Sequence, residues 1–154
     1  MAPTDLPTVI ELMREFAEYE KLQRYFDVTE DKLHAVMFGD SSFVEGLIVI
    51  DDGTTVGYAL FYSCFASFRG QRGIYLEDIY VATAFRGRGL GDAMLREIAH
   101  LALARGCERI DFQVLKWNET AIGFYEKLGA VRNDEERHFK FTDRAFVSLT
   151  DRPA

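Results

Sequence analysis

Cysteine occurs only as Cys64 and Cys107 in this chain of 154 residues. The two are far apart, with no further Cys or His at metal-ligand spacing, so neither a disulfide framework nor a zinc site is indicated, and both read as buried free thiols. Histidine is equally scarce: His34, His100 and His138 are scattered, and none is given catalytic or metal-binding work. No apolar run reaches the length needed to cross a bilayer, and the N-terminus has no basic segment followed by an apolar stretch. A cytoplasmic protein with no membrane partner is expected. Basic residues are outnumbered, 18 Lys and Arg against 25 Asp and Glu, for a net charge of -7. Nucleic-acid binding needs clustered cations to displace counterions, so no such partner is expected. The surplus carboxylates read first as a device for solubility. Repeats, linkers and low-complexity tracts are absent from the sequence.

What is present is material for a core: 48% of residues are hydrophobic and 14% aromatic. One domain over residues 1–154 is expected. Thr4 or Asp5 is placed to cap a first helix carrying Val9, Ile10, Met13, Phe16 and Ala17 at helical spacing, with Pro7 in its first turn. Thr29 caps a short second helix with Leu33, Val36 and Met37 on its apolar side and Gly39 as its stop. Strands are predicted from Phe43 to Ile50 and Thr55 to Phe65 about an Asp52-Gly53 hairpin turn, and from Ile74 to Val81 after the turn at Arg69 to Gly73. An antiparallel meander results. A helix bearing Met94, Leu95, Ile98, Leu101 and Ala102 follows, then a strand from Ile110 to Leu115, then a helix with Ala121, Phe124, Tyr125 and Leu128 ended by Gly129. Val131, Phe139 to Phe141 and Phe146 to Leu149 suggest closing strands, with Asp143-Arg144 as a turn. The fold class is α/β, an α+β mixed sheet flanked by helices.

Three stretches carry chemistry. Arg86-Gly87-Arg88-Gly89-Leu90-Gly91, between a strand and an amphipathic helix, suits phosphate. Glycines allow close backbone approach, helix-start N–H groups point at an anion, and the arginines add cationic donors. A Walker loop would end in Gly-Lys-Ser or Gly-Lys-Thr, but Leu90-Gly91-Asp92 stands here. A dinucleotide-binding turn would set its glycines at the strand end, but Ala82 to Phe85 intervene. In the second stretch, Asn118 precedes Tyr125 by about two helical turns, so both can share one helix face, though core filling is an ordinary use of such a tyrosine. The third is Tyr75-Leu76-Glu77-Asp78-Ile79. Strand alternation sends Glu77 and Asp78 to opposite faces, leaving each with either a charged partner or a task, and one of them facing a cleft.

In this order, Leu76-Glu77-Asp78-Ile79-Tyr80-Val81, the Arg86 to Gly91 loop, Trp117-Asn118-Glu119 and Phe124-Tyr125-Glu126-Lys127-Leu128-Gly129-Ala130 resemble the signature of the GNAT superfamily of N-acetyltransferases. The resemblance spans Leu6 to Val131. Within the superfamily the chain is similar to the diamine (spermidine/spermine) and thialysine acetyltransferases, which share the segment reading here Glu15-Phe16-Ala17-Glu18-Tyr19-Glu20-Lys21-Leu22. The resemblance implies the GNAT fold, a mostly antiparallel sheet with a splayed parallel strand pair. It implies acetyl-CoA as co-substrate, held by Ile79, Tyr80 and Val81 and by Arg86, Gly87, Arg88, Gly89, Leu90, Gly91 and Asp92, with Asn118 and Tyr125 completing that side. Tyr125 is the implied general acid for the leaving thiolate and Glu77 the implied base. Tyr19, Glu20, Glu77 and Trp117 are the implied amine-binding residues, no metal takes part, and a homodimer is expected.

These roles make chemical sense. A lysine-like amine has a pKa near about 10.4, so supplying its neutral form at pH 7 costs on the order of 4 to 5 kcal/mol. A backbone N–H freed where the strand before the loop splays or bulges, with Ile79 the candidate, would meet the developing oxyanion. The amine then attacks directly, without a covalent enzyme intermediate. Where polyamine-specific members carry an Asp, this chain has Ser67, and Phe68-Arg69-Gly70 through Val81 is nearer the thialysine type. A diamine or lysine-like amino acid is the expected acceptor. Acetylation of a protein or peptide amine, or non-catalytic acyl-CoA binding, are the alternatives. The sequence opens at Met1-Ala2-Pro3, where the family has a strand ahead of the first helix, so either that strand is absent or the chain starts late, and a sheet edge is expected to be less covered.

Overall fold

A computed structural model describes residues 1–150; residues 151–154 of the expected single domain lie outside that description. The chain groups into two compact units, Met1–Leu115 and the part from Lys116 onward.

The first unit is a mixed sheet between helices. Helix α1 (Leu6–Tyr19) follows a single 3-10 turn at Pro3–Asp5 and buries Leu6, Val9 and Leu12, with Ile10, Met13 and Phe16 packed beside them. Neither Thr4 nor Asp5 caps it through a side chain: the Asp5 carboxylate instead accepts from the Ala2 N–H at 2.6 Å, because both residues are taken up in the preceding turn. Helix α2 (Glu30–Phe38) has the expected cap, Thr29 Oγ1 accepting from the Lys32 N–H at 3.3 Å, and ends at Gly39.

Strands β1 (Glu45–Asp51) and β2 (Thr54–Ala66) form an antiparallel hairpin whose turn residues Asp52 and Gly53 are both left-handed, the handedness a tight hairpin needs. β2 pairs antiparallel with β3 (Gln71–Val81), and β3 pairs in parallel with β4 (Arg109–Phe112), giving the order β1-β2-β3-β4. Helix α3 (Leu90–Ala104) is the crossover between the parallel strands. One sheet face carries Tyr58, Leu60 and Tyr80 against α1 and α2; the other carries Ala59, Phe61, Ile74 and Leu76 against Met94, Ile98 and Ala102 of α3. Burying side chains of this size stabilises the fold by roughly 1.5–3 kcal/mol each. The parallel pairing ends at Leu76 opposite Phe112, although β3 runs on to Val81. That divergence is the splayed pair, and it explains why β4 stops short of the predicted Leu115.

In the second unit, α4 (Glu119–Lys127) is followed by Gly129 in the left-handed conformation, a stop of the expected kind. The closing strands predicted at Val131, Phe139 to Phe141 and Phe146 to Leu149 are not formed. Residues 131–142 are irregular, and a short helix α5 (Asp143–Val147) takes in Phe146. Phe139 and Phe141 alternate as a strand would, but no strand is described within this unit to complete their backbone hydrogen bonds, and a lone strand does not persist. Asp143, expected in a turn, has a left-handed φ of 51° and opens α5.

Candidate active site

The glycine-rich loop leaves β3 through a one-turn 3-10 helix at Thr83–Phe85 and enters α3 at Leu90. Gly87 and Gly89 have φ of 77° and 78°, a region L side chains avoid, while a Cβ at either position would meet nothing within 4 Å. Glycine is needed here for backbone handedness, and no protein atom crowds it. Because Gly89 is the N-cap, the first-turn N–H groups of α3 have no capping side chain, and they lie at the positive end of the helix dipole. Gly91 and Asp92 lie in that first turn, and Asp92 pairs with Arg96 at 3.0 Å. These features suit a phosphate-bearing group.

The two loop arginines differ. Arg88 pairs with Asp51 Oδ2 at 2.9 Å and lies over the Phe85 ring. Arg86 donates from Nε to the Val81 carbonyl at 2.9 Å, and its guanidinium stands 4.5 Å from the Tyr19 ring centroid and 5.2 Å from that of Tyr80. Arg86, Val81, Tyr80 and Tyr19 therefore meet at the end of α1, although they come from three separate stretches of sequence. Tyr80 is buried, stacked on Phe16 and donating from its hydroxyl to Glu15 at 3.3 Å, whereas Ile79 and Val81 pack on the α3 side of the sheet.

The acidic triplet departs from expectation. The β2–β3 register shifts between Leu60 and Phe61, which face Asp78 and Leu76, so Glu77 is an extra residue in a β-bulge. Tyr62 donates to Glu77 at 3.2 Å and Tyr58 donates to Asp78 at 3.1 Å. Tyr58 and Tyr62 are an even number of residues apart on β2 and share a face. Glu77 and Asp78 consequently lie on that same face, the α1 side, and not on opposite faces: the bulge cancels the alternation. Burial raises the Asp78 carboxyl to about 6; the Tyr58 hydrogen bond opposes the rise, and the charges of Glu77 and Glu20 add to it. Glu20, which caps the C-terminus of α1, is also raised by burial. Burial pushes the Tyr62 hydroxyl up to about 12, with Glu77 adding to it, and holds that of Tyr58 well above its usual value. Tyr58, Tyr62 and Asp78 were not singled out as a group by the sequence. The spacing of the two tyrosines on a strand was the available signal, but the register that sets them beside the acids was not.

In the second unit, Asn118 stands at the start of α4, about two turns before Tyr125. It is the N-cap, 5% exposed, with Oδ1 accepting from the Ala121 N–H at 3.2 Å. Tyr125 lies within α4, its ring edge-on to Phe124 at 5.2 Å, and Trp117 is 46% exposed. Among the described residues no three His, Cys, Asp or Glu side chains converge as metal ligands, and no helix is long and apolar enough to cross a membrane.

The acetyltransferase (GNAT) family model matches residues 6–130. The thialysine N-epsilon-acetyltransferase of Bos taurus is 37% identical over 134 residues, covering 82% of this chain and 78% of the relative. The spermidine/spermine N(1)-acetyltransferase-like protein 1 of Homo sapiens is 32% identical, covering 94% of this chain and 22% of that longer protein. Among solved structures, an integron cassette protein from the mobile metagenome of V. cholerae has a TM-score of 0.82 at 20% identity, covering 99% of this chain and 95% of its own, a likeness of fold.

Proposed function

Since the chain belongs to the GNAT acetyltransferase family, we propose that it is an acetyl-CoA-dependent N-acetyltransferase whose acceptor is the primary amine of a small molecule, a diamine or a lysine-like amino acid. The observation that carries this reading is the pair of left-handed glycines at the uncapped start of α3, set beside the end of β3 that has parted from β4. Acetyl-CoA supplies the activated acetyl group. The first-turn N–H groups of α3, with Arg86 and Arg88, hold its phosphates, and the parted backbone from Ile79 to Val81 holds its pantetheine arm. Asn118 and Tyr125 complete that side, and Tyr125 donates a proton to the departing thiolate.

In this reading Glu20 and Glu77 attract the substrate ammonium, Tyr19 and, by the family resemblance, Trp117 cover its carbon chain, and Glu77 accepts its proton. Tyr19 is a suitable wall, since its ring already packs against the Arg86 guanidinium and so accommodates a cation. Ser67, where polyamine-specific members carry an acid, favours an acceptor with one side-chain amine over a polyamine, in keeping with a relative named for thialysine. By the same family resemblance the protein pairs as a homodimer, which a sizing column would report.

The test is thiol release from acetyl-CoA across spermidine, putrescine, lysine and thialysine, with CoA binding measured in parallel. Turnover of the amino-acid amines with polyamines silent is the expected result. CoA binding without turnover of any amine would move the reading to a peptide acceptor or a non-catalytic module.

A further inference from the structure

The sheet face that carries Glu77 emerges from under the helices at Tyr62. Tyr58 and Leu60 are buried against α1 and α2, whereas from Tyr62 onward the residues of β2 are half-buried or exposed. Tyr62 stands opposite Tyr75 on β3, and Tyr75 stands opposite Asp111 on β4, so the three side chains form one row across that face. The two tyrosine rings are stacked, with centroids 5.2 Å apart. Glu77 borders this aromatic floor on one side, accepting from the Tyr62 hydroxyl at 3.2 Å. Asp111 borders it on the other, where Arg109 donates from Nε to its carboxylate at 2.7 Å.

Arg109 reaches that place because the residue opposite it on β3 is Gly73. A Cβ on Gly73 would come within 2.7 Å of the Arg109 Cγ and 3.0 Å of the Cys64 sulfur, so the arginine stem lies where another residue's side chain would stand. The side chains of Arg109 and Asp111 are each 34% exposed, which leaves both charges within reach of a solute. A cation and an anion side by side match a zwitterion, whose opposite charges are also adjacent. The spacing suits a short chain between the two ends. With strands about 4.8 Å apart and two strand residues spanning about 6.6 Å, the Asp111 and Glu77 backbones are about 8 Å apart. A side chain of five single bonds, each about 1.5 Å, spans about 6 Å and leaves room for an ion contact at either end.

We propose that Arg109 and Asp111 bind the α-carboxylate and α-ammonium of an amino-acid acceptor, whose side chain crosses the Tyr62–Tyr75 stack and brings its terminal amine to Glu77. The inference rests on the acetyltransferase reading and narrows its acceptor to an amino acid with a side-chain amine of about lysine length. Arg109 and Asp111 set specificity and take no part in the chemical step. A diamine would place a second ammonium where the head group belongs, and there Asp111 would attract it while Arg109 repelled it.

Lysine and 1,5-diaminopentane differ only in the α-carboxylate, and they test the proposal. For wild-type protein kcat/KM should favour lysine by about tenfold or more. Arg109→Gln, whose stem still fits over Gly73, should raise KM for lysine about tenfold at nearly constant kcat and lower KM for the diamine, because the repelling charge is gone. Asp111→Asn, which keeps the size of the side chain, should raise KM for both. Lysine and diamine changing alike in Arg109→Gln would mark a merely structural role and overturn the proposal, as would an Asp111→Asn variant indistinguishable from wild type. Equilibrium binding of the same two amines, with and without CoA, repeats the comparison without turnover. Wild-type protein that acetylates no amine would defeat the acetyltransferase reading, yet lysine bound more weakly by Arg109→Gln than by wild type would still support the site. Lysine left unbound by wild type, or bound equally by both proteins, would overturn it.

Discussion

Glu77 and Asp78, consecutive on β3, present their carboxyl groups to one face of the sheet, because the extra residue opposite the Leu60–Phe61 step cancels the strand's alternation. A consequence for stability follows. A carboxyl raised in the folded protein above its ordinary 3.8 favours folding fully at pH below that value, and loses this contribution as pH rises through about 6. The Asp78→Asn variant lacks this loss. Urea unfolding of the two proteins at pH 4 and pH 7.5 should show the variant gaining on wild type at the higher pH, by at most about 3 kcal/mol. A difference between the proteins that does not change with pH would show that Asp78 titrates alike in the folded and unfolded chain.

Tyr125→Phe removes the proposed proton donor and keeps the ring that packs against Phe124. Turnover should fall about a hundredfold while the Kd for CoA stays within about twofold of wild type. Steady-state kinetics beside calorimetric CoA binding would check this, and an equal loss in both would remove Tyr125 from the role of acid.

Arg86 and Arg88 should not be equivalent. Arg88 is already engaged by Asp51, whereas the described contacts of Arg86 are a carbonyl and two rings. Drawing Arg86 onto a phosphate therefore breaks no such ion pair, and Arg86→Ala should weaken CoA binding about tenfold, with Arg88→Ala weakening it less. Isothermal titration at low and moderate salt would compare them.

Ile98 lies fully buried between α3 and the sheet, among Phe61, Ile74 and Leu76. Ile98→Ala should destabilise the protein by about 2–5 kcal/mol through lost burial and the cavity left behind, read from the shift in urea midpoint at constant slope.

Local signals made most of the first unit legible. The 3.6-residue spacing of Val9, Ile10, Met13 and Phe16, the Thr29 cap, the Asp52-Gly53 turn and the stripe of Met94, Ile98 and Ala102 each concern a single element and its core-facing side. The bulge at Glu77 was not legible, because it is defined by which residues of β2 and β3 stand opposite each other, a property of two distant segments together. Alternation alone consequently sends Glu77 and Asp78 to opposite faces, where the structure has both on one. The stretch around Phe139 and Phe141 failed for a related reason: its alternating pattern suits a strand, but a strand forms only where a neighbour supplies the other half of the hydrogen bonds. The loop itself was readable from its glycines, while the resting place of the Arg86 side chain, on Tyr19 from another part of the chain, was not.

Gly87 and Gly89 combine positive φ with open space around the missing Cβ, which makes their requirement one of chirality. D-alanine, whose preferred φ is the mirror image of that of L-alanine, should be accepted at either position by semisynthesis without loss of folding, where L-alanine is strained. The same methyl would stand in the way of any phosphate that approaches the backbone there. A mirror-image residue can therefore separate two demands that glycine meets at once, that the loop turn and that a ligand come close: a folded D-alanine protein unable to hold CoA would show that both are made on these residues.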